Sequence, residues 1–328
     1  MNRLLDFLKI IRFPNLVIIA LTQYAIRFGI IYPFLKQANY SLFLSEKLFA
    51  LLVLATVLIA AAGYIINDYF DVKLDYLNKP KDLIIGKSIS RRQAMVLHAI
   101  INIAGLLIAA YIAIKINHPL LVLFQLVSAA LLWFYSVSFK KQVLVGNLVI
   151  ASLTALVPFT SGYYEVALMF DHLKEFEINQ LHTNFFEDLS LLLFSIKYLL
   201  YWVIGYSFFA FILTFNREII KDCEDIEGDK AFNCKTFPIV YGIPRAKKIS
   251  LYLFILTGLF ILSIAIMQFF SKDWISLVYF TLFLLIPIIW SARNTYLAKN
   301  KRHFFIISQS IKIIMLFGII YTAIIYLF

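Results

Sequence analysis

Two short segments of the chain carry the carboxylates that could do chemistry. Each is a row with the same spacing, three residues and then four: Asp68, Asp71 and Asp75 in the first, and Asp222, Asp225 and Asp229 in the second. Residues three or four apart share one face of a helix, so each row is predicted to form a single carboxylate face. Like charges held so close repel each other. A cation is therefore expected to bind at each row.

A diphosphate with bound magnesium fits two such rows. Mg²⁺ prefers oxygen ligands and is commonly held by one or two carboxylates together with substrate phosphates. Two rows could hold more than one ion around a diphosphate and neutralise its charge as a C–O bond breaks. Asn67 adds an amide that could bind a phosphate oxygen, and Lys140 and Lys141 are cations that could take the departing diphosphate.

The elements that must position these rows are membrane-spanning helices. The 328 residues are 62% hydrophobic and 15% charged, with a mean hydropathy of +0.85, well outside the range of soluble domains. A run of about 20 apolar residues crosses the hydrocarbon core. The predicted spans are 13–34, 47–70, 93–115, 119–138, 143–164, 197–217, 249–270, 274–292 and 303–327. The predicted fold is all-α and integral to the membrane, with about nine transmembrane helices in a single bundle.

The basic residues indicate the orientation of the chain. The net charge is +11, but most of the 30 Lys and Arg residues lie in short loops between spans, which argues against nucleic acid as a partner. Because such loops stay on the inner side, the N-terminus and both rows are predicted to be cytoplasmic in a multi-pass protein of the cell membrane. The N-terminal segment lacks a cleavage site of small residues and is expected to be retained.

The predicted organisation is a single membrane domain over residues 1–328. Its one irregular segment, at about 164–195, mixes charged and apolar pieces and is expected to form amphipathic helices on the outer surface. Cys223 and Cys234 share one predicted cytoplasmic loop, so both are expected to be reduced thiols. Arg27 lies inside the first span and is expected to snorkel to the membrane surface.

Two other interpretations of the rows remain open from the residues alone. A single acidic row at a helix end is usually a solvated face, and Lys140 and Lys141 also fit a role in setting topology. A transporter could use acids to bind a cation or an anionic lipid in a cavity. Transporters tend to place such residues near the midplane, in broken helices and repeated halves. Two rows at the inner ends of spans favour an enzyme instead.

Over nearly its whole length the chain resembles the UbiA family of intramembrane prenyltransferases. The resemblance rests on Asn67-Asp68-x-x-Asp71-x-x-x-Asp75 after the second span and on Asp225-x-x-x-Asp229 after the sixth. Members of that family are similar in having nine helices, cytoplasmic active sites and a dependence on magnesium. The resemblance therefore implies a magnesium-dependent prenyl transfer within the membrane.

The resemblance also implies roles for individual residues. Binding of Mg²⁺ and diphosphate is implied for Asn67, Asp68, Asp71, Asp225 and Asp229, with Asp75 and Asp222 as supporting metal ligands. The predicted catalytic residues are Asp71, Asp75 and Lys140, and the predicted substrate-binding residues are Asn67, Lys140, Lys141, Arg217 and Lys221. Tyr135 precedes Lys140 by five residues, where family members usually show a spacing of four.

Three features resemble the geranylgeranylglyceryl phosphate geranylgeranyltransferase branch of the family. They are Asn78-Lys79-Pro80, Ile89-Ser90-Arg91-Arg92 and the run from Arg217 to Asp222. The segment from Lys81 to Gly86 keeps only the final glycine of the family's frequent Arg-Pro-Ile-Pro-Ser-Gly. The stretch from Asn78 to Gly86 is predicted to decide the acceptor. The expected partners are a polyprenyl diphosphate, a lipophilic acceptor and the lipid bilayer. Ether formation on a glyceryl phosphate is favoured, with carbon–carbon bond formation on an aromatic quinone precursor as the alternative.

Overall fold

The computed structural model describes residues 3–78, 84–178 and 185–327, and most of them are helical. The first seven helices are α1 (Arg3–Ile10), α2 (Phe13–Ile26), α3 (Tyr32–Gln37), α4 (Glu46–Asn78), α5 (Arg91–Lys115), α6 (Val122–Val137) and α7 (Val145–Ile178). The others are α8 (Phe185–Glu224), α9 (Ile226–Ala231), α10 (Phe237–Tyr241), α11 (Ile243–Phe270), α12 (Trp274–Tyr279), α13 (Ile286–Leu297) and α14 (Lys301–Leu327). Within the described residues, β structure is limited to an isolated bridge between Ile85 and Ile89.

The described residues contain nine helical stretches long and apolar enough to cross a membrane, which confirms the predicted spans and fold class. They are Phe13–Gln37, Glu46–Val72, Arg91–Lys115, Pro119–Val137, Val145–Lys174, Ser190–Glu224, Ile243–Phe270, Trp274–Leu297 and Lys301–Tyr326. The first stretch continues from α2 to α3 through a π-helical segment, Arg27–Ile31. Several stretches exceed the predicted bounds because polar residues continue the helix beyond the apolar run.

Two compact units make up the chain. The first comprises Met1–Val137 and Leu156–Ser207, and the second comprises Ser138–Ala155 and Phe208–Phe328. Both α7 and α8 therefore contribute residues to each unit. One domain over residues 1–328 stays a prediction.

In the first unit, α4 packs against α5 and α6. One apolar cluster joins Ile10 of α1, Leu16 of α2, Ile65 of α4 and Ala94 of α5. Ile65 lies one helical turn before the first acidic row. The cluster therefore holds the corner between α1 and α2 beside the part of α4 that leads into that row.

Helices α7 and α8 extend into residues 164–195. The helix α7 continues without a break into this segment and α8 begins before its end; residues 179–184 lie outside the described part of the chain. An amphipathic insertion on the outer surface stays a prediction. Tyr164 is fully buried, and its hydroxyl donates to the carbonyl of Leu121 at 3.1 Å. The hydroxyl of Tyr164 thus has hydrogen-bond partners inside the first unit.

A buried ion pair shows that the prediction of a snorkelling Arg27 is wrong. Arg27 and Glu165 are 1% and 0% exposed, with Nη1 3.5 Å from Oε2. Arg27 also donates to the carbonyl of Leu44 at 2.6 Å, and Glu165 accepts from the backbone N–H groups of Phe43 and Leu44. The guanidinium is thus held inside the first unit by α7 and by the connection before α4.

In the second unit, α11 packs against α13, and α13 packs against α14. A reciprocal pair of hydrogen bonds fixes α8 to α11. Ser250 donates its hydroxyl to Oδ1 of Asn216 at 2.5 Å, and Nδ2 of Asn216 donates to the Ser250 carbonyl at 3.3 Å. Both residues are buried. This pair secures the part of α8 that leads into the second acidic row.

Candidate active site

The first acidic row lies on one unbroken helix, as predicted. Asn67, Asp68 and Asp71 belong to the last part of α4 and are partly buried. Residues three apart share a helix face, so Asp68 and Asp71 project from the same side of α4. The backbone of Asp75 continues this helix, but its side chain lies outside the described part of the chain.

Asp68 is paired with a cation that sequence reasoning did not single out. Arg12 forms the corner between α1 and α2, with a left-handed backbone at φ 50°. Its Nη2 donates to Oδ1 of Asp68 at 2.9 Å, and its guanidinium carbon lies 4.9 Å from the centre of the Tyr64 ring. Burial lowers the pKa of Arg12, but the Asp68 carboxylate and its other neighbours outweigh burial, so the pKa of Arg12 is raised from its ordinary value. Arg12 therefore stays charged against the first row.

The chain approaches α5 through a tight turn. Gly86 has φ 92°, in the region that favours glycine. Ser90 then caps α5: its hydroxyl accepts from the Gln93 N–H at 3.2 Å, while the Gln93 side chain accepts from the Ser90 N–H at 2.9 Å. This capping box fixes where α5 begins and hence where its first side chains lie.

A second cation, Arg91, contacts the ring of Tyr69, which lies within the first row. Arg91, in the first turn of α5, places its guanidinium carbon 4.6 Å from the centre of the Tyr69 ring. Tyr69 directly follows Asp68 on α4. Residues 79–83, which carry most of the segment predicted to choose the acceptor, lie outside the described part of the chain, as does the side chain of Asn78.

The second acidic row does not lie on one continuous helix, and that part of the prediction is wrong. α8 ends one residue before Asp225, which has φ −95° and ψ 8°, and α9 begins one residue after it. The Asp225 N–H donates to the Lys221 carbonyl at 2.9 Å, and the Asp229 N–H donates to the Asp225 carbonyl at 3.0 Å. Asp225 occupies the N-cap position of α9, and its side chain makes no capping hydrogen bond. The row is therefore split, with Asp222 on α8, Asp225 at the joint and Asp229 on α9.

Asp222 is held by a neutral donor. Nδ2 of Asn147, in the first turn of α7, donates to Oδ2 of Asp222 at 2.9 Å. Asn147 is buried, with 7% of its surface exposed. Asp222 is partly buried. Asn147 therefore constrains one oxygen of this carboxylate without adding charge.

The predicted phosphate-binding lysines lie in the turn between α6 and α7. Lys140 is partly buried and Lys141 is exposed. The Lys141 carbonyl accepts from the N–H of Lys235 at 2.9 Å. A Cβ on Gly146 would lie 2.9 Å from Cα of Lys140, so only glycine permits this approach of the turn to α7. The backbone that carries both lysines is thus fixed within the second unit.

The two predicted substrate-binding residues on α8 differ in their surroundings. Nη1 of Arg217 donates to Oε1 of Glu218 at 2.6 Å, and the two side chains are 19% and 10% exposed. Lys221 is partly buried one turn further along. Arg217 is therefore engaged by its own neighbour, whereas Lys221 stands beside the acids of the row.

A family model matches most of the chain. Residues 34–309 fit the model described as the UbiA prenyltransferase family. The chain belongs to the UbiA prenyltransferase family. It is accordingly a multi-pass membrane enzyme that transfers prenyl groups, as predicted.

Curated relatives of this UbiA prenyltransferase share one name. It is 33% identical over 251 residues to the digeranylgeranylglyceryl phosphate synthase of Saccharolobus solfataricus, covering 76% of this chain and 74% of that protein. It is 34% identical to the synthase of the same name from Methanobrevibacter smithii, over 58% of each chain. The Methanosphaera stadtmanae synthase is 29% identical, over 82% of this chain and 85% of its own length.

Solved structures share the fold. One described as giving structural and mechanistic insights into digeranylgeranylglyceryl phosphate synthase in membranes is similar with a TM-score of 0.62 and 23% identity, covering 99% of both chains. A UbiA homologue from Archaeoglobus fulgidus bound to DMAPP and Mg²⁺ gives a TM-score of 0.56 and 19% identity, covering 98% of this chain and 99% of that one. These likenesses confirm the predicted UbiA fold.

The donor set of this UbiA prenyltransferase fits magnesium. Both rows offer carboxylate oxygens, the ligand type that Mg²⁺ prefers. Among the described residues, no three His, Cys, Asp or Glu side chains are grouped closely enough to enclose a metal ion. Mg²⁺ usually keeps several waters and takes one or two carboxylates plus substrate phosphates. The rows therefore fit an ion that binds together with a diphosphate.

Sequence reasoning missed Arg12 and Asn147. Arg12 is the last residue before the first span, so its place at the membrane surface was a usable signal. Asn147 is a lone amide in an apolar run, which also marks it as unusual. Neither signal identifies the partner, because Arg12 lies 56 residues from Asp68 and Asn147 lies 75 residues from Asp222.

Proposed function

We propose that the chain transfers a geranylgeranyl group from its diphosphate to geranylgeranylglyceryl phosphate. The observation that carries this proposal is the 33% identity to a digeranylgeranylglyceryl phosphate synthase over 76% of the chain. The acceptor's hydroxyl oxygen attacks C1 of the prenyl chain, the bond from C1 to the diphosphate oxygen breaks, and an ether forms. The hydroxyl proton passes to Asp75 or to the departing diphosphate.

Both acidic rows serve as ligands for magnesium and diphosphate in this proposal. The metal ligands are Asp68, Asp71, Asp75, Asp222, Asp225 and Asp229, and the substrate-binding residues are Asn67, Lys140, Lys141, Arg217 and Lys221. Bound Mg²⁺ supplies positive charge that stabilises the leaving diphosphate. The carboxylates hold the ions, and the lysines neutralise the phosphate charge that remains.

In this proposal Arg12 contributes to diphosphate binding by exchanging its contact with Asp68 for a contact with phosphate. Its ion pair with Asp68 is partly exposed, with side-chain exposures of 41% and 22%, so solvent screens it in part. With Asp68 serving as a metal ligand, the guanidinium would be free to make a bidentate contact with a phosphate. The structure supports this role because Arg12 already stands against the first row.

The N-terminus and both rows are assigned to the cytoplasmic side. The support is the concentration of Lys and Arg in the loops next to the rows. A reporter that fluoresces only in the cytoplasm should give a signal in intact cells when it is fused to the N-terminus. A reporter that is active only outside the cytoplasm should give no signal when it is fused at the same place.

The reaction is tested with the protein reconstituted in liposomes. Radiolabelled geranylgeranyl diphosphate and Mg²⁺ are supplied with geranylgeranylglyceryl phosphate or with an aromatic quinone precursor. Label is expected in the ether product, and a chelator should abolish the transfer. Transfer to the aromatic acceptor alone would assign the chain to carbon–carbon bond formation.

Variants separate the enzyme from the other interpretations. Asp71→Ala and Asp225→Ala should abolish transfer, while Glu227→Ala, which removes an exposed acid of α9 outside the row, should not. Retained transfer in both row variants would make the rows solvated faces. A folded wild-type protein that transfers to neither acceptor would leave a transporter as the better interpretation.

A further inference from the structure

The contact between Asn147 and Asp222 links the first turn of α7 to the acidic end of α8. The donor is an amide that is 7% exposed, and its nitrogen lies 2.9 Å from Oδ2 of Asp222. The bond constrains the orientation of the carboxylate and leaves lone pairs on both oxygens for a ligand. A buried amide in this place directs the carboxylate as well as joining two helices.

Asn147 is itself held in a fixed position. Gly146 lies so near the turn before α7 that a Cβ there would come within 2.9 Å of Cα of Lys140. Leu144 turns the chain into α7 with a left-handed φ of 60°. The Lys141 carbonyl is bonded to the N–H of Lys235, which follows α9. The backbone on both sides of Asn147 is therefore constrained before its side chain reaches Asp222.

The choice of a neutral donor has an electrostatic consequence. A Lys or Arg at position 147 would satisfy Asp222 equally well but would cancel the charge that attracts a cation. An amide can hold the carboxylate without adding a charge of its own. Partners of this kind, which bond to a metal ligand without touching the metal, orient the ligand and affect metal affinity by about 10–100-fold.

We propose that Asn147 is a positioning residue that orients Asp222 for magnesium bound with diphosphate. The proposal rests on the metal site assigned above under the proposed function. It adds a residue from α7 that touches neither the substrate nor the metal ion. The competing explanation is that Asn147 only ties α7 to α8 and has no influence on Asp222 as a ligand.

Asn147→Ala, judged against a control variant, separates these two explanations. It removes the hydrogen bond to Asp222 and leaves the carboxylate itself in place. The unfolding temperature of the full chain in detergent reports how much the contact between α7 and α8 stabilises the protein. Calorimetric titration of Mg²⁺ in the presence of inorganic diphosphate reports ligand orientation without any turnover.

Ser250→Ala provides the matched control. It removes a buried interhelical hydrogen bond of α8, the one with Asn216, that involves no carboxylate. This variant should unfold at a lower temperature and bind Mg²⁺ with the affinity of the wild type. It thereby shows what the loss of a structural tie on α8 does by itself.

Asn147→Ala should weaken Mg²⁺ binding by about tenfold or more. Equal Mg²⁺ affinity in Asn147→Ala and Ser250→Ala would overturn the proposal. If Asn147→Ala does not fold, Asn147→Ser is judged against Ser250→Ala in the same way.

The same titration distinguishes failure of this inference from failure of the proposed function. Asp225→Ala, which removes a proposed metal ligand, should lose Mg²⁺ binding. Unchanged binding in Asp225→Ala would refute the metal site itself. Loss of binding in Asp225→Ala together with unchanged binding in Asn147→Ala would refute only the role of Asn147.

Discussion

The two acidic rows share a spacing but differ in backbone and in electrostatics. The first lies on the unbroken helix α4, and its Asp68 is neutralised by Arg12. The second is divided at Asp225, and its Asp222 is held by the uncharged amide of Asn147. In the first row a carboxylate is thus paired with a cation, while in the second a carboxylate is held by an uncharged donor. Equal spacing in a sequence does not imply equal surroundings.

A second comparison, between two ion pairs of the first unit, shows why the Arg12 pair is better suited to exchange. Arg27 and Glu165 are almost fully buried and are also bonded to the backbone before α4. Arg12 and Asp68 are 41% and 22% exposed. Breaking a buried pair leaves an uncompensated charge, whereas an exposed pair gives little stability. The first pair is therefore structural, and the second is available for function.

The largest effect is expected from removing a charge in either row. Asp71→Asn and Asp225→Asn should each lower kcat on the order of 10²–10³-fold, since a missing electrostatic contact to developing charge has this size. The measurement is the initial rate of label transfer at saturating substrate and Mg²⁺. If kcat falls in only one of these two variants, the two rows do not both contribute to the reaction.

The buried ion pair should affect stability strongly. Glu165→Ala leaves Arg27 buried without its counter-ion and should lower the free energy of unfolding by about 3–5 kcal/mol. Denaturant unfolding in micelles provides the measurement. Arg27→Met with Glu165→Leu, which removes both charges, should recover much of that loss. A single variant as stable as the wild type would contradict a structural role for this pair.

Arg12→Ala should affect binding of the diphosphate and leave stability nearly unchanged. A hydrogen bond from a charged donor is worth about 1.5–3 kcal/mol, so kcat/KM for geranylgeranyl diphosphate should fall roughly tenfold to a hundredfold. Arg12→Lys should recover only part of the loss because lysine lacks the planar fork. A loss of stability without a change in kcat/KM would make Arg12 a structural residue like Arg27.

The smallest effect is expected at Arg91. Its contact with the Tyr69 ring is a partly exposed cation–π pair, worth about 0.5–1 kcal/mol. Arg91→Gln should therefore slow transfer only a few-fold. The rate of label transfer should be measured with each of the two acceptors. A loss as large as that of Asp71→Asn would place Arg91 among the phosphate ligands.

The spans and the first row followed from the sequence because their signals are local. Apolar runs of sufficient length predict membrane helices, and the spacing of Asp68 and Asp71 predicts a shared face on an uninterrupted helix. The break at Asp225 was missed because the row keeps its helical spacing across it. Glu165 was assigned to the outer surface, whereas Arg27, from another helix, holds it inside. Arg12 and Asn147 were missed because only the tertiary structure supplies their partners.

The proposed function requires that both rows act on one diphosphate, and a double-variant cycle is the sharpest test of that proposal. The rate of label transfer from geranylgeranyl diphosphate is measured for the wild type, Asp71→Asn, Asp225→Asn and the combined variant. Residues that act as a unit are strongly non-additive, so the combined variant should be little slower than the slower single variant. Losses that multiply would show that the rows act independently and would contradict the claim.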